Sequence, residues 1–177
     1  MRVFTAVNIE NEKVLDKLEE MQKELDYGFN KVKPGKMHLT LQFFKNVDRN
    51  ELEEIKTGLN KIEMEPFKLK IKGVGVFPSK DYVRVVWAGI ESEEVFELKN
   101  QVSKHSVEED NDHKFHPHIT LSRVKNIARR DKKDFRRKLE KLEDEEIAQT
   151  TVKSVKLFKS KHTGKAMVYS VLEEKEL

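Results

Sequence analysis

A chain of 177 residues with 37% hydrophobic and 38% charged residues can bury a core beneath an unusually charged surface, and its formal charge of +3 is too small to argue for nucleic acid by itself. The absence of cysteine excludes disulfides, thiolate metal sites and cysteine nucleophiles, and suits a reducing, cytoplasmic setting. No run is long and apolar enough to span a membrane, and "MRVFTAVNIE" lacks the apolar stretch and cleavage pattern of an export signal.

Residues 2–6, "RVFTA", read as a strand. Val14, Leu15, Leu18, Met21 and Leu25 then recur at helical spacing. "HLTL" at residues 38–41 alternates as a strand does. Asp48, with Glu51 three residues on, is a capping-box pattern that opens a helix carrying Leu52, Ile55, Leu59 and Ile62. "KLKIKGVGVF" and "YVRVVWAGI" are β-rich runs on either side of Pro78 and the turn residues "SKD". Gly73 and Gly75 inside the first run point to a bulge or a close backbone approach; there is no GxGxxG or Walker pattern to suggest a phosphate loop. Ser92 precedes a helix with Val95, Leu98 and Val102, and "HITL" at residues 118–121 is a second alternating strand. Asp131 precedes a helix with Phe135, Leu139 and Leu142. After "VKLF" at residues 155–158 and the turn "HTGK", residues 166–173 are expected to pair back as a closing strand.

The order of elements repeats. "RVFTA" is answered by "RVVWA" at residues 84–88, an offset of 82; "HLTL" by "HITL", an offset of 80; and "VGVF" at residues 74–77 by "VKLF", an offset of 81. Three anchors in one order with nearly constant offset argue against coincidence. The expectation is α+β: one bilobal domain over residues 1–177, with two pseudo-symmetric β-α-β-α-β lobes from a repeat of about 2–78 and 82–160. Largely antiparallel sheets would line a central groove, with helices outside.

In a strand, His38 and Thr40 share one face while Leu39 and Leu41 share the other, and the same holds for His118 and Thr120. Each motif buries its leucines and presents an imidazole beside a hydroxyl. If the lobes pack about a pseudo-twofold axis, the two pairs line one groove. Opening a phosphodiester with water needs a base and an acid, and imidazole serves as either because its pKa is about 6.5. Threonine hydroxyls and a nearby cation can hydrogen-bond phosphate oxygens as charge builds on them. His113, His116 and His118 form a trio that a metal could use, but Pro117 interrupts it and a fourth ligand is missing, so no metal is expected. His105 and His162 read as surface residues, and Phe77 and Trp87 as core at the lobe interface. Residues 123–141 carry ten Lys or Arg against three acids, a solvated helix face or a surface for polyanions.

The chain resembles a 2H phosphoesterase, and within that superfamily the RNA 2',3'-cyclic phosphodiesterases, also called 2'-5' RNA ligase-like or LigT-like proteins. The likeness runs through "MRVFTAVNI", "MHLTLQFFKNV", "GVGVFPSKDYVRVVWAGI", "FHPHITLSRVK" and "VKSVKLFKSKHTGKAMVYSVL". It implies hydrolysis of RNA 2',3'-cyclic phosphate ends to a 2'-phosphate without metal or other cofactor, and, in reverse, 2'-5' joining. His38 would be the proton donor to the departing 3'-oxygen and His118 the proton acceptor that activates water, with Thr40 and Thr120 holding the phosphate. Arg123 matches an arginine that the family places just after the second motif. Strict alternation puts it on the face opposite His118, so a phosphate contact requires a bulge or the strand's end. Phe43 or Phe44 could stack a base. A monomer is the default expectation. Other readings are an RNA-end-binding module without catalysis and a relative acting on a small cyclic nucleotide or 2'-5' oligonucleotide. The segment "NKVKPGKMH" lacks an aromatic found in relatives, and "HSVEEDNDHKFH" is acidic for a position facing RNA.

Overall fold

Alternating apolar residues build the strands and fourfold-spaced ones the helices, as the computed structural model shows for the residues it describes: 1–107, 114–164 and 166–177. In chain order these are β1 (Arg2–Asn8), α1 (Glu12–Glu24), β2 (Asn30–Lys31), β3 (His38–Phe44), α2 (Arg49–Asn60), β4 (Phe67–Pro78), β5 (Val83–Glu91), α3 (Glu93–Lys104), β6 (His118–Arg123), α4 (Lys132–Leu142), β7 (Glu146–Val152), β8 (Ser154–His162) and β9 (Met167–Glu176). The fold is α+β. Among the described residues the strands form one antiparallel sheet in the order β7-β4-β5-β6-β3-β1-β8-β9, with short β2 also on β6. The two "HxTL" strands are therefore its centre.

Helix starts follow local chemistry. The Asp48 carboxylate accepts from the backbone N–H groups of Asn50 and Glu51 while the Glu51 carboxylate accepts from Asp48 N–H, the reciprocal box expected from the sequence. Asn11 caps α1 by accepting from Val14 N–H. Ser92 precedes α3 without capping it; its hydroxyl donates to Glu94 instead.

The helices cover one face of the sheet, and the main core lies between. Leu39, Leu41, Ile119 and Leu121 point into it and are at most 1% exposed. Phe4, Ala6 and Phe158, with Tyr169 packed on them, form a separate cluster. Phe4 neighbours Phe43 and His38 there, so this cluster belongs to the opposite face.

The halves of the sheet are not the halves of the chain. β4 pairs with β5 and β7, and β8 returns to pair with β1 and β9. Each side of the sheet thus takes strands from both sequence halves, which locks them together. The ladders also shift the first anchor by one residue. Ala6 pairs with Thr40 on β3 and Trp87 with Thr120 on β6, so Ala6, not Thr5, is the structural counterpart of Trp87, and the offset there is 81 rather than 82. A one-residue shift matters because it exchanges the faces of every side chain.

β7 has no counterpart in the sequence reading. It is an edge strand with only Ile147 and Val152 buried, so its apolar alternation is faint. β9 runs three residues beyond the expected closing strand, to Glu176, along the length of β8.

Gly73 interrupts the β4–β5 ladder between Ile71 and Val74. Its φ is +78° and its N–H donates to Glu145 O at 2.8 Å, and a Cβ there would lie 2.4 Å from Glu143 O. Gly73→Ala is expected to cost about 1–3 kcal/mol in urea unfolding through strain and clash. Gly35→Ala, whose added carbon meets nothing within 4 Å, should change stability by less than about 0.5 kcal/mol. Equal effects of the two substitutions would contradict this account of the bulge.

Candidate active site

β3 and β6 meet at one ladder position among the described residues, Leu39 opposite Ile119. From that rung, antiparallel alternation sets His38 across from Thr120 and Thr40 across from His118, all four on the face away from the helices. The two imidazoles are then diagonal neighbours, with backbones about 7–8 Å apart in sheet geometry. The side chains of all four residues are half-buried while their intervening leucines and isoleucine are fully buried.

Both strands carry a bulge immediately after the motif. On β3, Thr40 pairs with Ala6 but Gln42 with Thr5, which leaves Leu41 as the extra residue. On β6, Thr120 pairs with Trp87 but Ser122 with Val86, which leaves Leu121 extra. The bulges return Phe43 and Arg123 to the face of the histidines. Arg123 is exposed, has no acidic partner among the described residues, and pushes down the pKa of both His38 and His118. Strict alternation would have sent it the other way. Phe43 is 46% exposed at the equivalent place on β3, in ring contact with Phe4, whereas Phe44 is a core residue, 2% exposed on the helix side. Of the two candidate base-stacking rings, only Phe43 reaches the open face.

The histidines are wired identically. Nδ1 of His38 lies 2.7 Å from Lys36 O, and Nδ1 of His118 lies 2.7 Å from His116 O. A carbonyl only accepts, so Nδ1–H is the donor in each ring and Nε2 is left as the exchangeable position. Burial is the largest influence on both rings and holds them below the ordinary histidine range, against the opposing pull of the carbonyl hydrogen bonds. The neighbouring cationic groups add to the depression: His118 and Arg123 act on His38, and His116 and Arg123 on His118. The hydroxyls of Thr40 and Thr120 have no hydrogen-bond partner among the described residues.

Aromatic rings wall the two sides. Phe4 and Tyr169 lie 5.1 and 5.6 Å from the His38 ring, and Phe77 and Trp87 lie 5.0 and 6.2 Å from that of His118. Phe77 and Trp87 are thus half-buried site walls rather than interior core. Gly75 makes this possible, since a Cβ there would sit 2.2 Å from the indole that crosses it. Phe4 and Tyr169 escape the sequence reading. The shared offset of 81 with "VGVF" and "VKLF" would have put Phe4 on the histidine face. Nothing local marks Tyr169, whose place depends on the β8–β9 register. Beside His38 a cavity of about 330 Å³ is lined by Phe4, Asn8, Lys36, Tyr169 and Val171 among others, with Lys36 Nζ donating to Met167 O at 2.6 Å.

His116 packs on Trp87 with ring centroids 4.8 Å apart; His113 of the metal trio lies outside the described residues, among which no group of three metal-binding side chains occurs. His105 ends α3, and His162 is exposed at the end of β8. No helix among the described residues is long and apolar enough to cross a membrane.

Comparison with known proteins identifies the family. A family model described as LigT like Phosphoesterase matches residues 9–87 and again residues 90–169. The RNA 2',3'-cyclic phosphodiesterase of Methanocaldococcus jannaschii is 30% identical over 178 residues, covering 98% of this chain and 99% of that protein. The protein of the same name from Thermotoga maritima is 34% identical over 185 residues, covering 98% and 94%. Among solved structures, TT0787 of Thermus thermophilus superposes with a TM-score of 0.81 at 30% identity, covering 100% of this chain and 98% of that one. Apo LigT of E. coli shares the fold with a TM-score of 0.77 at 20% identity, covering 99% and 96%. With its paired histidine motifs on one sheet face and near full-length relatives, the chain belongs to the LigT-like phosphoesterase family.

Proposed function

We propose that this protein is an RNA 2',3'-cyclic phosphodiesterase that opens the cyclic phosphate to a 2'-phosphate by paired-histidine acid–base catalysis. The observation that carries the reading is the Leu39–Ile119 rung. It sets two identically tethered imidazoles on a single face with two hydroxyls and one arginine that have no partner among the described residues. The names of relatives 30–34% identical over nearly the whole chain support the substrate.

In this mechanism the cyclic phosphate lies between the histidines. His118 Nε2 takes a proton from water as the water oxygen attacks phosphorus. The P–O3' bond breaks, and His38 Nε2–H protonates the leaving 3'-oxygen. Thr40 and Thr120 donate to the non-bridging oxygens, and Arg123 supplies the positive field as charge builds on them. The fixed Nδ1–H tautomer leaves each ring one position to exchange a proton, so neither imidazole has to turn over during reaction. With a 5'-hydroxyl in place of water the same two transfers give 2'-5' joining: His118 takes the hydroxyl proton as its oxygen attacks phosphorus, the P–O3' bond breaks, and His38 protonates the 3'-oxygen. One chain, read as a single bilobal domain built on an internal repeat, supplies every group, so a monomer suffices.

Polymeric RNA fits better than a small cyclic nucleotide. The basic tract starts at Arg123, inside the site, and continues through Lys125, Arg129, Lys132 and Lys133, none with an acidic partner among the described residues. Along the same tract Arg130 lies 3.9 Å from Asp131, Arg136 pairs with Asp81, and Arg137 and Lys138 pair with Asp134, so part of the tract is neutralised and part is left for a polyanion.

The purified protein should convert an oligonucleotide 2',3'-cyclic phosphate to the 2'-phosphate, without loss on adding a chelator. His38→Ala or His118→Ala should reduce kcat by about 10² to 10⁴ while circular dichroism stays unchanged. Full activity in either variant, or a 3'-phosphate product, would refute the mechanism. The pH dependence has a defined sign. The base must be neutral and the acid protonated, and both pKa values lie below the ordinary histidine value in the free protein. The kcat/KM profile should therefore be bell-shaped and centred on the acid side of about pH 6.5; a maximum above about pH 8 would exclude these imidazoles as the titrating pair.

A further inference from the structure

The bulge that turns Arg123 toward the histidines needs an explanation, because an extra residue in a strand leaves a backbone group off the ladder, and a buried carbonyl without a donor is costly. On β6 that residue is Leu121, itself 0% exposed. Its carbonyl accepts from Val32 N–H at 2.9 Å, just past the end of β2, and from Gln22 Nε2 at 2.6 Å. The same Gln22 amide donates to Val32 O at 2.8 Å. Gln22 is 5% exposed, and it stands at the third place of the inward stripe Val14, Leu18, Gln22 on α1, where an apolar residue would serve packing better. A polar side chain at that depth is stable only with its bonds made.

We infer that Gln22 is a positioning residue for Arg123: by clamping the Leu121 carbonyl and the backbone of Val32, it holds the bulge that presents the guanidinium to the reacting phosphate. Just beyond the clamp, β2 pairs Lys31 with Ser122 and Asn30 with Arg123, so the grip acts on the two residues that set the arginine's direction. On the other side β5 holds both flanks of the bulge, Trp87 on Thr120 and Val86 on Ser122, but leaves Leu121 itself unmatched, and it is this residue that the clamp holds. Gln22 reaches this place from 99 positions away in sequence and, among the described residues, hydrogen-bonds to neither histidine. The inference rests on the reading of Arg123 as the site's phosphate-facing cation, and its test separates the two.

Gln22→Leu keeps the volume of the stripe and removes the donors; Gln22→Met is a second, more pliant apolar replacement should the first fold poorly. Kinetics on an oligonucleotide 2',3'-cyclic phosphate and NMR titration of the His38 and His118 ring protons are measured for the natural chain, Gln22→Leu, Arg123→Ala and the double variant. Gln22→Leu should lower kcat/KM by about 10-fold or more, mainly through KM, and add less than about 2-fold when Arg123 is already alanine, since both changes remove one interaction. Both single variants should raise the histidine titration midpoints, because each takes a positive charge away from the rings. A folded Gln22→Leu or Gln22→Met protein with unchanged KM and histidine titrations, or a loss that multiplies fully with that of Arg123→Ala, overturns the inference. If the natural chain fails to turn over cyclic phosphate while the titrations shift as expected, the positioning stands and the catalytic reading falls.

Discussion

A single backbone pairing, Leu39 opposite Ile119, governs where the two histidine motifs stand relative to each other. Slipping either strand past the other by one residue would send that strand's imidazole and threonine into the helix-covered core and bring its two large apolar residues to the open face. Burial resists any such slip. Leu39, Leu41, Ile119 and Leu121 are at most 1% exposed, and uncovering any one of them would cost about 1.5–3 kcal/mol. The hydrophobic effect thus sets the register, and the register sets the two imidazoles on one face. The same leucines that make the fold stable are the reason the histidines face each other's strands.

Two departures from regular structure then convert a pairing of strands into a site. The bulges at Leu41 and Leu121 bring Phe43 and Arg123 round to the histidine face, and the carbonyls of Lys36 and His116 fix both ring tautomers. Half-burial keeps the imidazoles below their ordinary pKa, a cost that an anion between them would offset by favouring the charged form. In the free protein both rings therefore incline toward neutrality, and binding of a phosphate diester would itself draw a proton into the site.

Much of this is legible in the amino-acid order, for reasons that differ by residue. Period-two alternation around His38 and His118 is local, so the faces of those strands can be read directly. The capping box at Asp48 and Glu51 is local too, and so is the helical stripe on α1. What cannot be read depends on pairing between distant segments. The true offset of β1 against β5, the strand exchange that pairs β4 with β5 and β8 with β1, and the arrival of Tyr169 beside His38 are all properties of ladders rather than of words in the sequence. β7 escapes notice because an edge strand needs to bury little. Arg123 shows the limit most sharply: alternation alone misjudges its side, since a bulge adds one residue without any mark in composition. Phe44 is one position from the residue that faces the groove, and a single bulge decides between them.

The near-symmetry of the site raises a physical question about direction. Two imidazoles with the same tether, each flanked by a threonine across the rung, would bind a cyclic phosphate in two orientations equally well if nothing else differed. The structure differs at equivalent positions. Arg123 on β6 corresponds to Phe43 on β3, so one end of the groove offers a cation and the other an exposed ring. Around His38 stand Tyr169 and Lys36, with a cavity open between strands; around His118 stand Phe77, Trp87 and His116, packed closely enough that Gly75 must lack a Cβ. A nucleoside needs room and a stacking surface, whereas a phosphate needs charge. An asymmetric ligand therefore meets unequal contacts in its two orientations, and a difference of about 1.4 kcal/mol already favours one of them tenfold. In the proposed mechanism the repeated motif would supply the two proton-transfer groups, and the unrepeated residues beside it would determine which imidazole gives the proton and which receives it.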